Sequence, residues 1–292
     1  MAMVAPRISV IVPAFNENET IRDCLQSLLD QIDDLKEVIA VDNNSTDGTD
    51  EIIEEFVSRS PKFTLLRVTR QGLVPARNAG FAAARGDILA RIDADTRVCA
   101  GWADAVADFF DKHGAAIAGA TGLCSLYDAP FQEGYRRKHR EVTATLRDNA
   151  GGPTDYGRLF GSNMAVTATA WDKIRDRTSD RDDVFEDLDI ALCLREAGFR
   201  TALMPGADAQ ISGRRYLVGP VAHLRYLICD QRTYQVHGMQ KERLSAILKM
   251  FVVDIPFYAS MFLPFRLYDL EQGKFSLSAF NRVRRLKVRA HS

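Results

Sequence analysis

The sequence predicts an α/β fold, a mostly parallel sheet flanked by helices, with a helical C-terminal extension. Two observations predict it. From Ile8 onward, apolar runs of strand length alternate with stretches whose apolar residues recur at helical spacing, and that alternation produces parallel strands with helices on both faces. A chain of 292 residues, 46% of them apolar, is long enough to bury one large core or two smaller ones, and its composition does not suggest disorder.

Taken in order, Ile8 to Val12 reads as a buried strand closed by Pro13, with Asn16 or Asn18 placed to cap the helix that carries Ile21, Leu25, Leu28, Leu29 and Ile32. Val38 to Val41 is a second strand. It leads through Asp42-Asn43-Asn44-Ser45-Thr46-Asp47-Gly48-Thr49 to a helix marked by Ile52, Ile53, Phe56 and Val57. Phe63 to Val68 is a third strand, Pro75 to Ala84 a short helix, and Asp87 to Ile92 a fourth strand. Trp102 to Phe110 is helical, with Ala103, Val106, Ala107 and Phe110 on one face; an apolar strand at Ala115 to Leu123 and a helix at Gly134 to Leu146 follow. The acids from Asp182 to Asp189 open a helix that runs to Ala197 and stops at Gly198, the expected C′ position. On that helix Leu188, Ala191 and Leu192 should face the core, so that neither Glu186 nor Asp187 is forced inside.

The chemistry gathers at the ends of the strands. The fourth ends in Asp93-Ala94-Asp95, at the carboxyl edge where open α/β sheets place their ligands. Two acids at i and i+2 on an extended strand share a face and can converge on one hard cation, Mg²⁺ or Mn²⁺. Alone, the pattern reads more readily as a solvated turn, since Asp is among the commonest turn residues. The loops Pro13-Ala14-Phe15-Asn16-Glu17 and Asp42-Asn43-Asn44-Ser45 also follow strands and offer acceptors suited to a base edge and ribose hydroxyls, although such residues cap helices as well. Gly72 with Arg77 and Asn78 makes a third loop, in which an Arg can reach a phosphate. The phosphate-cradling P-loop and the G-x-G-x-x-G fingerprint are absent from the sequence.

These motifs in this order, Val12 to Glu17, Val41 to Thr49, Ala76-Arg77-Asn78-Ala79-Gly80 and Asp93-Ala94-Asp95, resemble the nucleotide-sugar-binding half of family 2 glycosyltransferases of the GT-A fold. The resemblance covers residues 7 to 215 and implies a Rossmann-like GT-A sheet. It implies that Ala14, Glu17 and Asp42, with Pro13, Phe15 and Asn44 in the same loops, surround the base and ribose of a nucleotide diphosphate sugar, with a lean to uracil. Asp93 and Ala94 would contact the nucleotide or sugar, and Asp95 would hold Mg²⁺ or Mn²⁺ at the diphosphate. Gly161-Ser162-Asn163 matches the segment bordering donor sugar and acceptor. The Glu186-Asp187 pair resembles the acceptor-site motif, Asp187 matching the base and Glu186 a supporting acceptor contact. Arg214 and Arg215, on a short Gly-containing loop, can fold over the diphosphate by bidentate contact.

The expected activity is an inverting transfer from a nucleotide diphosphate sugar to the hydroxyl of a saccharide or lipid-linked acceptor. The alternatives are a polyprenyl-phosphate sugar synthase, whose acidic motif is usually less regular, and a sugar-nucleotide pyrophosphorylase, whose Gly-rich loop is replaced here by Pro13-Ala14-Phe15-Asn16-Glu17. A non-catalytic nucleotide-sugar-binding protein is disfavoured by the presence of both acidic motifs. Residues 1–218 are expected to form the catalytic domain, 7–98 on the donor side and 99–218 on the acceptor side, with 219–292 as the helical extension.

A net charge of −1 gives no global field for nucleic acid, and the five cysteines are odd in number and lack a C-x-x-C, as in a reducing cytosol. The N-terminal stretch lacks a basic region followed by an apolar one, so no export signal is expected. Leu244, Ile247, Leu248 and Phe251 recur at helical spacing, and Phe257 to Phe265 is apolar. Lys249, Asp254, Pro256 and Pro264 argue against a spanning helix there. A tail with Arg282, Arg284, Arg285, Lys287 and Arg289 and no acid follows, so residues 244–292 are expected to meet the inner face of the plasma membrane peripherally or a second copy of the chain.

Overall fold

A computed structural model describes residues 8–147, 152–270 and 272–279 of the protein. They form two compact units, one from residues up to 125 with 138–181 and 186–211, the other from 126–137, 182–185 and 212 onward. Gly151 and the basic tail from Asn281 lie outside the described residues.

The described residues up to 211 follow the alternation of the sequence. Strand β1 (Ile8–Ala14), helix α1 (Ile21–Leu29), β2 (Glu37–Asp42), α2 (Thr49–Arg59), β3 (Phe63–Arg67), α3 (Leu73–Ala83) and β4 (Ile88–Arg91) come first. Then follow β5 (Arg97–Val98), α4 (Trp102–His113), β6 (Ile117–Thr121), β7 (Cys124–Leu126), α5 (Gln132–Arg147), β8 (Met164–Thr167), α6 (Ala168–Ile174), α7 (Glu186–Glu196), β9 (Arg200–Leu203) and β10 (Ala209–Ile211). The main sheet has seven strands in the order β3-β2-β1-β4-β8-β6-β9 among the described residues. Its neighbours are parallel except at β8, which runs antiparallel to both β4 and β6. Chain order reverses about β1, with β2 on one side and β4 on the other, so the carboxyl ends of these three strands open on the crevice where such sheets bind ligands.

Every residue of β1 and β2 is buried, as strands covered on both faces must be. Ile8, Val10 and Val12 belong to one core with Leu25 and Leu28 of α1 and Trp102 of α4, while Ile11 belongs to the other with Ala76 and Phe81 of α3. Pro13 does not close β1: it lies opposite Val41, and Ala14 lies opposite Asp42. A proline is tolerated there because the pairing of β1 with β4 has already ended at Ile11 and Arg91, so no partner awaits its missing N–H.

The ends of the helices divide between expectation and correction. Neither Asn16 nor Asn18 caps α1. Its N-cap is Thr20, without a side-chain cap bond, and the carbonyl of Glu17 takes the Thr20 and Ile21 N–H groups at 3.0 and 2.8 Å. Gly198 does terminate α7, with φ of +82° and the Phe199 N–H donating back to the Leu194 carbonyl at 2.9 Å.

The second unit contains α8 (Pro220–Val236), α9 (Gln240–Lys249) and α10 (Ile255–Leu267). A π-helical turn at Met250–Asp254 joins α9 to α10, so that Gln240–Leu267 runs as one helix of 28 residues. The expectation that charges and prolines rule out a spanning helix is therefore corrected: by length and composition this helix can cross a membrane. The wide turn brings Lys249 and Asp254, five residues apart, together at 2.6 and 2.8 Å, so the charges counted against the segment neutralise each other. Pro256 falls where the π turn passes into α10, and Pro264 lies inside α10.

Gly80 lets α3 lie close on the sheet, since a Cβ there would fall 2.5 Å from Ile11 Cγ2 and 3.1 Å from Val41 Cγ2. Gly80→Ala should lower stability by about 1–3 kcal/mol, the usual cost of overpacking a filled core, measured as a lower urea midpoint at unchanged slope.

Candidate active site

The loops after β1 and β2 are bonded to each other. Asn16 N–H donates to Ser45 Oγ at 2.9 Å, Thr46 N–H to Asn16 Oδ1 at 2.9 Å, and Glu17 N–H to Thr49 Oγ1 at 2.8 Å. Asn16 and Asn44 take φ of +56° and +66°, the left-handed conformation that Asn tolerates best among residues with side chains. Part of the polar motif is thus architecture. Ala14 is buried beneath it, Phe15 is exposed, and Glu17 is partly exposed. Asp42 is buried; its Oδ2 accepts the Ser45 N–H at 3.3 Å, while its Oδ1 has no hydrogen-bond partner among the described residues. Such an oxygen is costly to bury alone, and the N–H of a base edge would satisfy it.

Strand β4 ends at Arg91, and the two acids occupy a turn closed by the Thr96 N–H donating to the Asp93 carbonyl at 2.9 Å. The expectation that strand alternation puts them on one face is corrected, since both acids lie past the end of the strand in a turn. Buried Cys24 lies beneath; burial first, then the carboxylates of Asp95, Asp93 and Glu17, push its thiol well above the ordinary range. The carboxylates of Asp93 and Asp95 are hard oxygen donors of the kind a divalent cation takes.

Arg91, 2% exposed, donates from Nη2 to Asp93 Oδ1 at 2.6 Å and from Nη1 to Glu186 Oε1 at 2.5 Å. The Glu186-Asp187 pair at the start of α7 is thereby joined to the acidic turn after β4. Glu186 is buried, which corrects the expectation that neither acid is forced inside: its carboxylate holds Arg91, and its carbonyl accepts from Arg77 Nη1 at 3.2 Å. Asp187 Oδ2 accepts the Gly161 N–H at 2.8 Å, and its Oδ1 accepts its neighbour Leu188's N–H at 2.7 Å. Each oxygen keeps a lone pair. Burial, then the adjacent Glu186 carboxylate, push the Asp187 carboxyl up to about 6 against the pull of these N–H groups and Arg91.

Two expected ligand contacts are interior instead. Arg77 is fully buried, donating to Asn78 Oδ1 at 3.0 and 2.8 Å and lying over the Trp171 ring, and burial lowers it to about 10. A guanidinium so placed braces α3 against α7 and does not reach a phosphate. Asn163 is also fully buried: its Oδ1 accepts the Trp102 indole N–H at 2.9 Å and its amide donates to the Ala207 carbonyl at 2.7 Å. Ser162 contributes its carbonyl to Thr96 Oγ1 at 3.1 Å. Arg214 and Arg215 belong to the second unit, on a 3₁₀ turn with the Arg215 guanidinium 3.9 Å over the Tyr226 ring. Asn43, expected among the ligand acceptors of its loop, is engaged by backbone instead: its amide nitrogen donates to the Val68 and Arg70 carbonyls at 2.9 and 2.8 Å, and its Oδ1 accepts the Gly72 N–H at 2.7 Å. Arg91, to which the sequence assigned no role, was signalled there only by a charge inside an otherwise apolar strand.

A mostly parallel sheet with an acidic turn at the end of β4 and an acidic pair at the start of α7 is the arrangement of GT-A glycosyltransferases. Residues 9–167, more than half of the chain, match Glycosyl transferase family 2, and the protein belongs to that family. The glycosyltransferase AglE of Haloferax volcanii is 39% identical over 98 residues, 32% of this chain and 32% of that protein, so the match spans about a third of the relative's length. In fold, the mannosyltransferase PcManGT from Pyrobaculum calidifontis, in complex with GDP-Man and Mn²⁺, superposes with a TM-score of 0.61 at 20% identity, covering 97% of this chain and 80% of the other. GalNAc-T7 with UDP, GalNAc and Mn²⁺ superposes at 0.57 and 15% identity, covering 90% and 59%.

Carbon-detected titration should place the Asp187 carboxyl midpoint near 6, above the ordinary carboxylate range. Because the folded value is the raised one, the contribution of this group to stability is fully present below pH about 4 and is lost as pH rises through about 6.

Proposed function

We propose that the protein is an inverting glycosyltransferase that moves a sugar from a nucleotide diphosphate sugar to an acceptor hydroxyl, with residues 1–218 as the catalytic domain, 7–98 on the donor side and 99–218 on the acceptor side. The observation that carries the reading is Asp187, a carboxylate held by two backbone N–H groups and raised to about 6, in a site tied through Arg91 to the D-x-D turn. A base poised near neutrality is what abstraction of a hydroxyl proton requires.

In this reading Asp187 takes the proton from the acceptor hydroxyl. The acceptor oxygen then bonds to the anomeric carbon as the bond from that carbon to the diphosphate oxygen breaks, the electron pair leaves with the diphosphate, and one displacement inverts the centre. Asp95 would hold Mg²⁺ or Mn²⁺, which when bound neutralises charge on the departing diphosphate. Phe15, Glu17 and the open Oδ1 of Asp42 would take the nucleoside, for which a uracil N–H is the favoured partner. The solved neighbours carry GDP-Man in one case and UDP in the other, each with Mn²⁺, which supports a nucleotide-sugar donor and a divalent metal. The acceptor is a saccharide or a lipid-linked hydroxyl.

Asp95→Asn should abolish Mn²⁺-dependent UDP binding in calorimetry while the fold persists, since the residue lies in a partly exposed turn. Asp187→Asn should keep that binding and lower kcat by about 10²- to 10⁴-fold, the usual worth of a general base. Full turnover in Asp187→Asn would end the mechanism.

In this reading the protein works in the cytoplasm and meets the inner face of the plasma membrane through the long helix of the second unit. Leu244, Leu248, Phe251, Val252, Val253 and Phe257 along it are 41–66% exposed, and the sequence beyond carries the acid-free basic tail. The full-length protein should co-sediment with anionic vesicles at low salt and release as salt rises. Failure to bind, with a dimer in solution, would instead assign the apolar face to a second copy.

A further inference from the structure

We propose that Arg91 is a positioning residue that joins the donor side of the site to the acceptor side, fixing Asp93 and Glu186 on one rigid guanidinium and thereby setting where Asp187 reaches. The inference rests on reading Asp187 as the base and adds the group that aims it.

The geometry is specific. Nη2 holds Asp93 at 2.6 Å and Nη1 holds Glu186 at 2.5 Å, the latter 95 positions along the chain. A planar guanidinium presents its two arms at a fixed spacing, so the separation of the two carboxylates is set by covalent geometry. The Asp93 side chain is 35% exposed at one end of this bridge while Arg91 is buried at 2%, so a group open to solvent is anchored from inside. A purely structural buried cation needs only one carboxylate, and that carboxylate need not come from the D-x-D motif.

Gly161 completes the device. A Cβ at this position would fall 1.5 Å from Arg91 Nη1 and 2.3 Å from Cζ, so only glycine leaves room for the guanidinium. The N–H of the same glycine donates to Asp187 Oδ2 at 2.8 Å. One residue therefore walls the bridge and holds the base. On the other side Arg77 fixes the Glu186 carbonyl at 3.2 Å, so the residue before the base is held at its backbone by one guanidinium and at its carboxylate by another. The charged groups acting on Asp187 in this arrangement are Glu186, Arg91 and Arg77.

Arg91→Lys tests this, because an ammonium keeps the charge but cannot span two carboxylates. Expected are cooperative unfolding, a Kd for UDP with Mn²⁺ within a few fold of wild type, and an unchanged donor KM. With these, kcat should fall about 10²-fold, as for a misplaced catalytic group, and the Asp187 midpoint should rise above about 6 as the positive charge withdraws. Gly161→Ala, which alters no charge and displaces the guanidinium, should give the same split between kcat and binding. This variant decides the matter if Arg91→Lys does not fold. Wild-type kcat and an unmoved Asp187 midpoint in either folded variant, beside an inactive Asp187→Asn, would overturn the positioning role and leave the base assignment standing. An active Asp187→Asn would remove the base assignment itself.

Discussion

The first unit depends on one buried positive charge. Placing a guanidinium at the end of a central strand, 2% exposed, costs several kcal/mol unless carboxylates and hydrogen bonds compensate it. Here Asp93 and Glu186 provide the compensation, and each comes from a segment the candidate chemistry needs. The acidic turn and the start of α7 are therefore pinned to β4 by electrostatics as much as by packing. Gly161 follows from the same constraint, because any side chain there would occupy the space of the guanidinium. A buried pair of this kind adds little net stability over apolar packing; what it secures is a unique arrangement, since removing either partner strands a charge in the interior.

A second principle runs through the loops after β1 and β2. Their polar residues have two duties, and the structure separates them. Asn16, Ser45, Thr49 and Asn43 spend their hydrogen bonds on one another or on backbone, closing the loops into one piece. Asp42 keeps one buried oxygen without a partner among the described residues, in the crevice where strand order reverses. A rigid polar frame that leaves one acceptor open is suited to reading the donor edge of a base, because the frame need not reorganise when ligand arrives.

The second unit answers to a different physics. Its long helix presents apolar side chains to solvent over most of its length, and only 17% of its most apolar window is buried. The single acid and base in its middle neutralise each other across a π turn. Arg266 donates to the carbonyls of Tyr216, Leu217 and Val218, so its charge is satisfied within the unit and does not interrupt the apolar face.

Local rules were legible in the sequence. The alternation of strands and helices, the place of Asp93 and Asp95 just past a strand, and the stop at Gly198 all arise from propensities and spacings within a few residues. The family, too, was carried by short ordered motifs. Tertiary structure decided what depends on partners far apart in the chain. It turned β8 antiparallel between β4 and β6, drew Arg77 and Asn163 into the interior, and placed Glu186 against Arg91. An arginine near a helix start and an arginine in a strand both read as solvated or ligand-facing by composition, because burying a guanidinium becomes tolerable only when distant carboxylates and carbonyls arrive to meet it. The sequence by itself determined which segments fold and where the crevice lies; the tertiary structure alone decided which polar side chains hold that crevice together and which are left to face a ligand.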